Sequence, residues 1–426
     1  MVELRILRNE TERVLAGYRK RNLPDSLLQL VPEIISLDDQ RKKLQSELDA
    51  VLARLNQMAK EIGDRYKSGD ASGAEGLKQE VARTKEHAKG LEEQLEQAKA
   101  DIESRLLQLP NVPDSQVPEG RSADDNLVYK LNESAMPLLG ADALPHWELA
   151  RKYQLFDMEL GVKISGSGFI LYRNQGAKLQ RALINFFLDE ASKAGYEEIQ
   201  PPLLVNADSA RGTGQLPDKE GQMYYAALDD LYLIPTAEVP VTNMYRDVLL
   251  KDEQFSIQLC GYTPCFRREA GSYGAHVKGL NRVHQFDKVE IVRIEHPDRS
   301  YAVLEEMLKH VEGLLVKLEL PYRILRLCGG DMGFASALTY DFEVYSAAQQ
   351  RWLEVSSVSN FESFQSNRMK LRFKNGKGES VLAHTLNGSA LALARVVAAL
   401  LENHQSSEGI RIPAALRPYT GFDAIH

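Results

Sequence analysis

Two runs of apolar residues spaced by threes and fours, separated by one polar break, constrain this chain more than any other feature. The first is Leu37, Leu44, Leu48, Val51, Leu55, Met58 and Ile62, at steps of 7, 4, 3, 4, 3 and 4. Such spacing keeps the apolar side chains on one stripe of an α-helix, the seam of a coiled coil. The break reads YKSGDASGAEG, and the seam resumes at Leu77, Val81, Thr84, Ala88, Leu91, Leu95, Ala98 and Ile102. LPNVP at Leu109–Pro113 ends the second helix, because proline cannot continue one. Two matched seams around one turn predict an antiparallel coiled-coil hairpin within a single chain. Helices of about 40 residues, rising about 1.5 Å per residue, make an arm roughly 60 Å long. Its outer faces carry Arg41, Lys42, Lys43, Arg54, Lys60, Lys78, Arg83, Lys85 and Lys89 among comparable numbers of acids. A solvated surface and a face for a polyanion both fit that pattern, and the sequence does not choose between them.

From about Asn126 the pattern changes to mixed helix and strand, so the expected division is an N-terminal domain over 1–110, a linker over 111–125 and a second domain over 126–426. Asn174–Ala194 reads as an amphipathic helix (Leu179, Leu183, Phe186, Phe187) with Gly195 at its end. YEEIQPPLLV follows, and its Pro201 and Pro202 suit a sheet edge or an interface rather than a central strand. Strand-like runs come at LYLIP, FSIQLCGYTPCF, FDKVEIVRIE, YRILRLC, YDFEVYS and RWLEVSSV, and a final apolar helix is expected over Ser389–His404. Strands that follow one another directly predict the α+β class: a largely antiparallel sheet flanked by helices, preceded by the coiled-coil arm.

The net charge of −8 argues against indiscriminate binding to nucleic acid but leaves room for a local basic face. No run of about 18 apolar residues is present, so no membrane span is expected. MVELRILRNETERVL lacks the apolar region of a signal peptide, and the expected location is the cytoplasm. Cys260, Cys265 and Cys328 are too few for a disulfide framework and lack partners at ligand spacing, so core thiols are expected and a structural zinc is not.

Neither GxxxxGK[ST] nor a strand followed by GxGxxG occurs, and GSG at Gly166–Gly168 reads as a turn. The informative residues are charges in apolar surroundings. Arg395 lies in SALALARVVAALL, where an unpaired guanidinium would be costly. A buried carboxylate or a bound anion could answer that cost, since arginine's planar fork suits phosphate. Arg267 poses the same question at the end of a strand. Glu238 and Glu354 are acids inside apolar strand patterns, and Glu290 shares a strand face with Phe286, Lys288 and Val292. Each acid alone reads at least as well as a hydrogen-bonded core group or a plainly solvent-exposed one as it does as a ligand contact. Together they suggest a polar cavity over the sheet, with arginines for phosphates and carboxylates for Mg²⁺ or an ammonium.

TAEV at Thr236–Val239, CFRREAGSYG at Cys265–Gly274, GLNRVHQFDKVE at Gly279–Glu290 and HTLNGSALALAR at His384–Arg395 resemble signatures of the seryl-tRNA synthetases, a class II aminoacyl-tRNA synthetase family. The resemblance runs along essentially the whole chain, arm included. It implies activation of L-serine by ATP to seryl-adenylate, then transfer to the terminal adenosine of tRNA(Ser), and of tRNA(Sec) where one is present. It also implies a homodimer. Arg267 would contact the α-phosphate and the serine carboxylate, with Arg268 beside it. Glu269 would meet the adenine side, Phe286 would stack on the ring, and Arg395 would lie on its other face and reach the γ-phosphate. Val283, Val355 and Ser356 would line the nucleotide, and Glu354 and Ser357 would hold Mg²⁺. Thr236, Ala237, Glu238, Glu290, Asn387 and Ser389 would form the serine pocket, Glu290 taking the ammonium.

Adenylate formation suits such a residue set. The attacking carboxylate is already ionised, so catalysis is positioning and charge neutralisation rather than general base chemistry. The hairpin tip GAHVKG, Gly274–Gly279, departs from relatives that carry GRDTRG or GKDVRG: Ala275 and His276 replace a basic–acidic pair, and Lys278 an arginine. FESFQSNRMK keeps only Arg368 where many relatives have adjacent arginines, and Val358 replaces a frequent cysteine. A paralogue that loads another acceptor would lack the arm, and an inert scaffold would lose Arg267, Glu354 or Arg395. The chain retains all of these.

Overall fold

The computed structural model describes residues 1–134, 136–137, 139–140, 142–218, 221–269 and 278–426. They form two compact units, one of Val2–Tyr18 and Leu23–Pro110, the other of Met1, Arg19–Asn22 and Asn111–His426. Residues 111–125, expected as a linker, are packed into the larger unit. The Asn111 N–H donates to the Phe334 carbonyl at 2.9 Å, the Asp114 N–H to that of Ala337 at 2.8 Å, and Val117 is buried in the main core.

In the smaller unit α1 (Leu30–Lys67) and α2 (Ala71–Leu106) form the hairpin. Leu44, Leu48, Val51 and Leu55 of one helix cluster with Leu95, Leu91 and Ala88 of the other, as the seams require. The break is shorter than the sequence suggests. Asp70 caps α2 by accepting from the Gly73 N–H at 2.9 Å and pairs with Arg65, also at 2.9 Å. Those contacts, the Gly73 N–H first, hold its carboxyl below the usual range. A satisfied N-terminus outweighs the low helix propensity of Gly73 and Gly76, which lie inside the helix.

The larger unit is built on eight strands: β1 (Leu127–Asn132), β2 (Glu197–Glu198), β3 (Ile257–Phe266), β4 (Gln285–Glu295), β5 (Tyr322–Arg326), β6 (Leu338–Ser346), β7 (Arg351–Glu362) and β8 (His384–Ala392). Their order is β1–β5–β6–β7–β8–β4–β3–β2, antiparallel throughout except for the β3–β2 edge. Helices α3 (His146–Tyr153), α4 (Asn174–Lys193), α5 (Ser300–Lys317) and α6 (Leu393–Asn403) supply Leu149, Leu183, Phe187, Leu304, Val311, Val397 and Leu400 to its main core. The three cysteines are buried free thiols.

Two expectations are corrected. The final helix begins at Leu393 rather than Ser389, because His384–Ala392 is a strand paired on both sides. A short apolar run buried on both faces has no periodicity to separate strand from helix. Glu238, expected in a strand pattern, is the first residue of a short helix, Glu238–Asn243, that follows the brief strand Leu231–Leu233.

Candidate active site

The site follows from the alternation along β4. Val289 and Ile291 face the main core, whereas Phe286, Lys288 and Glu290 face a cavity of about 470 Å³. β7, β8 and the first turn of α6 complete its walls with Glu354, Val355, Ser356, Ser357, Asn387, Ser389 and Arg395.

At one end stand the arginines. The Arg267 N–H donates to the His284 carbonyl at 2.9 Å and its Nε to the Pro235 carbonyl at 3.3 Å, with the guanidinium 5.3 Å from the Phe286 ring centre. None of these contacts is with a carboxylate, so the charge of Arg267 is available to an anion. Arg395 donates from Nε to the Asn281 carbonyl at 2.9 Å and from Nη1 to the Glu354 carbonyl at 2.7 Å, with Glu354 Oε2 3.6 Å away. The nearest acid to Arg395 is therefore Glu354, an exposed carboxylate that lines the cavity rather than a buried partner. Glu269 pairs with Arg282 and takes a left-handed φ of 49°, uncommon for a residue with a side chain.

Beside Arg395, the Ser357 hydroxyl donates to Glu354 Oε1 at 3.4 Å. Asp341 faces Ser357 across β6 and β7, and among the described residues its buried Oδ1 has no hydrogen-bond partner. Burial first, then the Glu354 charge, push the Asp341 carboxyl well above its usual range.

At the other end Lys288 Nζ lies 2.6 Å from Glu290 Oε2 and donates to Thr236 Oγ1 at 2.9 Å. The Thr236 and Ser389 hydroxyls donate to the same Oε2 at 3.3 and 3.5 Å. Glu238 Oε1 accepts from Gln365 Nε2 at 2.6 Å. Burial and the neighbouring Glu290 push the Glu238 carboxyl up to about 7.

The cavity thus gathers Arg267, Glu269, Val283, Phe286, Glu354, Val355, Ser356, Ser357 and Arg395 with Thr236, Glu238, Glu290, Asn387 and Ser389. Two expected residues stand behind the wall. The Arg268 guanidinium stacks 4.7 Å from the Tyr224 ring centre, and Ala237 packs with Val241, Leu259 and Val292. Of the hairpin tip, Ala275 and His276 lie outside the described residues, while Lys278 Nζ sits 4.6 Å from the Trp147 ring centre. The sequence reading missed Gln215, Gln222, Asn281, Arg282 and Lys288 as wall residues. Lys288 was legible from its period of two with Phe286 and Glu290; the others lie on loops with no periodic signal.

Comparison with known proteins follows the division of the chain. Residues 1–113 match the seryl-tRNA synthetase N-terminal domain, and residues 225–404 the tRNA synthetase class II core domain (G, H, P, S and T). The chain is 49% identical to a serine--tRNA ligase of Salinibacter ruber, covering 100% of this chain and 99% of the relative. It is 44% identical to one of Chlorobaculum parvum, covering 100% of both. Its structure is similar to that of seryl-tRNA synthetase from Pyrococcus horikoshii complexed with ATP, with a TM-score of 0.92, 32% identity and coverage of 100% and 99%.

Proposed function

This chain belongs to the seryl-tRNA synthetase family, and on that premise we propose how its cavity carries the ATP-dependent attachment of serine to tRNA. In the first step a serine carboxylate oxygen attacks the α-phosphorus of ATP. The bond from that phosphorus to the bridging oxygen breaks, and pyrophosphate leaves with the electron pair. Arg267 neutralises the α-phosphate and orients the attacking carboxylate. Phe286 and Arg395 enclose the adenine, Glu269 meets its edge, and Arg395 reaches the γ-phosphate. Val283, Val355 and Ser356 shape the groove, while Arg268, stacked on Tyr224, supports it from behind. In the second step a hydroxyl of the terminal adenosine of tRNA attacks the seryl carbonyl and AMP leaves.

Glu354 and Ser357 would hold Mg²⁺ together with the phosphates, and their hard oxygen donors suit that ion. The buried Asp341 Oδ1, which has no hydrogen-bond partner among the described residues and lies across the strand pair from Ser357, supports this fit. When bound, Mg²⁺ supplies neutralisation of the charge on the departing pyrophosphate.

Thr236, Ala237, Glu238, Glu290, Asn387 and Ser389 form the serine pocket. The internal ion pair with Lys288 engages Oε2 of Glu290, and among the described residues no hydrogen bond reaches Oε1, which takes the serine ammonium. Buried hydrogen-bonding groups select serine over alanine, because alanine would leave them unpaired.

The observation that carries this reading is the convergence of Arg267, Arg395, Glu354, Phe286, Glu238 and Glu290 on one cavity. Pyrophosphate exchange into ATP, run with each of the twenty amino acids, tests it. Exchange should depend on serine, and equal exchange with alanine or threonine would overturn the pocket assignment. Charging of total tRNA then tests the second step.

The arm is assigned to the body of tRNA(Ser), and the cytoplasm follows as the place where tRNA is charged. We also infer a homodimer. Pro201 and Pro202 follow the edge strand β2, beside exposed Leu203 and Leu204 and an open cavity between α4 and β3. Light scattering at micromolar concentration should give twice the chain mass, and a monomer would contradict this.

A further inference from the structure

The returning leg of the Arg267 hairpin is anchored by side chains that the reaction does not use. His146, fully buried at the start of α3, accepts at Nε2 a 2.9 Å hydrogen bond from the Leu280 N–H. A backbone N–H can only donate, so Nε2 bears no proton, and the ring proton lies on Nδ1, 2.7 Å from Glu402 Oε1. Glu402 sits about two turns beyond Arg395 on α6. Its buried carboxylate also accepts from the His146 N–H at 3.0 Å, Gln349 Nε2 at 3.0 Å, the Ala348 N–H at 3.2 Å and the Ser346 hydroxyl. Burial alone would raise that carboxyl, but His146 and Ser346 hold it below its usual range.

The same network reaches the nucleotide wall by a second path. Gln349 Oε1 accepts from Asn281 Nδ2 at 2.8 Å, and the Asn281 carbonyl accepts from Arg395 Nε at 2.9 Å. There is no spare room in the first contact. Gly279 has a φ of +69°, and a Cβ there would fall 2.2 Å from His146 Nε2. Trp147, the next residue of α3, carries Lys278 over its ring. The first turn of α3 therefore holds three consecutive residues of the leg, each by a different kind of contact.

We propose that His146 is a positioning residue for the nucleotide. Through Leu280 it sets the wall formed by Leu280–Val283, and through Glu402 it ties that wall to the helix bearing Arg395. The serine pocket stands apart, since Thr236, Lys288 and Glu290 make none of their hydrogen bonds to this network. A histidine serving only the core would, on removal, lower stability and disturb both substrates alike. This inference rests on the reading of the cavity as an ATP site.

The test is pyrophosphate exchange by the full chain, with ATP and serine varied separately. His146→Asn keeps a donor near the Nδ1 position and removes the acceptor facing Leu280, whereas His146→Gln keeps a polar atom near the Nε2 position. The Asn variant should raise the KM for ATP about three- to tenfold, the range for one lost hydrogen bond, with the serine KM changed by less than about twofold. The Gln variant should return most of that loss. Equal rises in both KM values, an unchanged ATP KM in the Asn variant, or a Gln variant as impaired as Asn would each overturn the proposal. Should the Asn variant melt below the assay temperature, Gly279→Ala is read in its place, with the same ATP-side split expected and an even rise in both KM values overturning it. If the wild-type chain shows no serine-dependent exchange, the reading of the cavity fails and this inference with it. If wild-type exchange is normal and the variants show no split, only this inference fails.

Discussion

The coiled-coil arm and the cavity are assembled by opposite rules. In the arm a residue's neighbours are set by local period and by register across one turn, so Leu48 and Leu91 meet because both occupy seam positions. In the cavity Thr236, Arg267, Glu290, Glu354 and the pair Asn387 and Arg395 come from five separate stretches of chain. They meet only because the strand order β7–β8–β4–β3 lays distant segments side by side. The arm has an apolar seam of its own, so on the proposed reading its length can change without disturbing the chemistry. In the cavity burial first, and then the neighbouring charge of Glu290, raise the Glu238 carboxyl, and burial and Glu354 do the same to Asp341 beside its wall.

That contrast predicts that damage separates by region. The largest effect is expected from Arg267→Ala, which removes a cation that none of its described contacts neutralises with a carboxylate. Serine-dependent exchange should fall by about a thousandfold or more, in line with the loss of a charge-stabilising group in phosphoryl transfer. Exchange within tenfold of wild type would break the assigned role. Next comes the arm. Excising residues 52–87 and closing the helices with a short glycine-containing turn leaves Val51 facing Ala88 in the surviving seam. Exchange should stay within about twofold, while tRNA charging should fall at least roughly a hundredfold, as expected when one of two linked contacts is lost. Equal losses in both assays would erase the proposed modularity.

Legibility in the sequence follows the same division. The arm could be read nearly position by position, and the one difference, an early start for α2, comes from a capping side chain that outweighs two glycines. The strands of the larger unit were recognisable because Val, Ile and Tyr alternate with polar residues along β4 and β6. The start of α6 was not, since His384–Ala392 is buried on both faces and carries no period. Of the site, charges that conflict with their surroundings were visible, and the family resemblance attached roles to them. Gln365, which holds Glu238, and His146, which holds Leu280, could not be found that way. Each acts through another residue far away in sequence, and a buried histidine or glutamine has no pattern that separates it from a satisfied core group.

The smallest effect tests the electrostatic half of the comparison, through stability rather than activity. The Glu238 carboxyl rises from 4.5 to about 7, with burial and Glu290 raising it and Gln365, Lys288 and Arg267 opposing. Between those values the folded chain keeps a proton that the unfolded chain has released, so stability must fall as pH rises through that window. The accumulated cost above the window is on the order of 3 kcal/mol, at about 1.4 kcal/mol per pH unit. Glu238→Gln cannot ionise and still offers an oxygen to Gln365, so it should match the wild type near pH 5 and exceed it near pH 8 in denaturant unfolding. Leu91→Ala in the arm, which removes only buried methyl groups, should instead cost about 2 to 3 kcal/mol at both pH values. Parallel curves for wild type and Glu238→Gln would show that Glu238 is not held protonated by its neighbours. A slope that disappears would identify an acid kept at a cost to stability, as expected of a residue retained for substrate recognition.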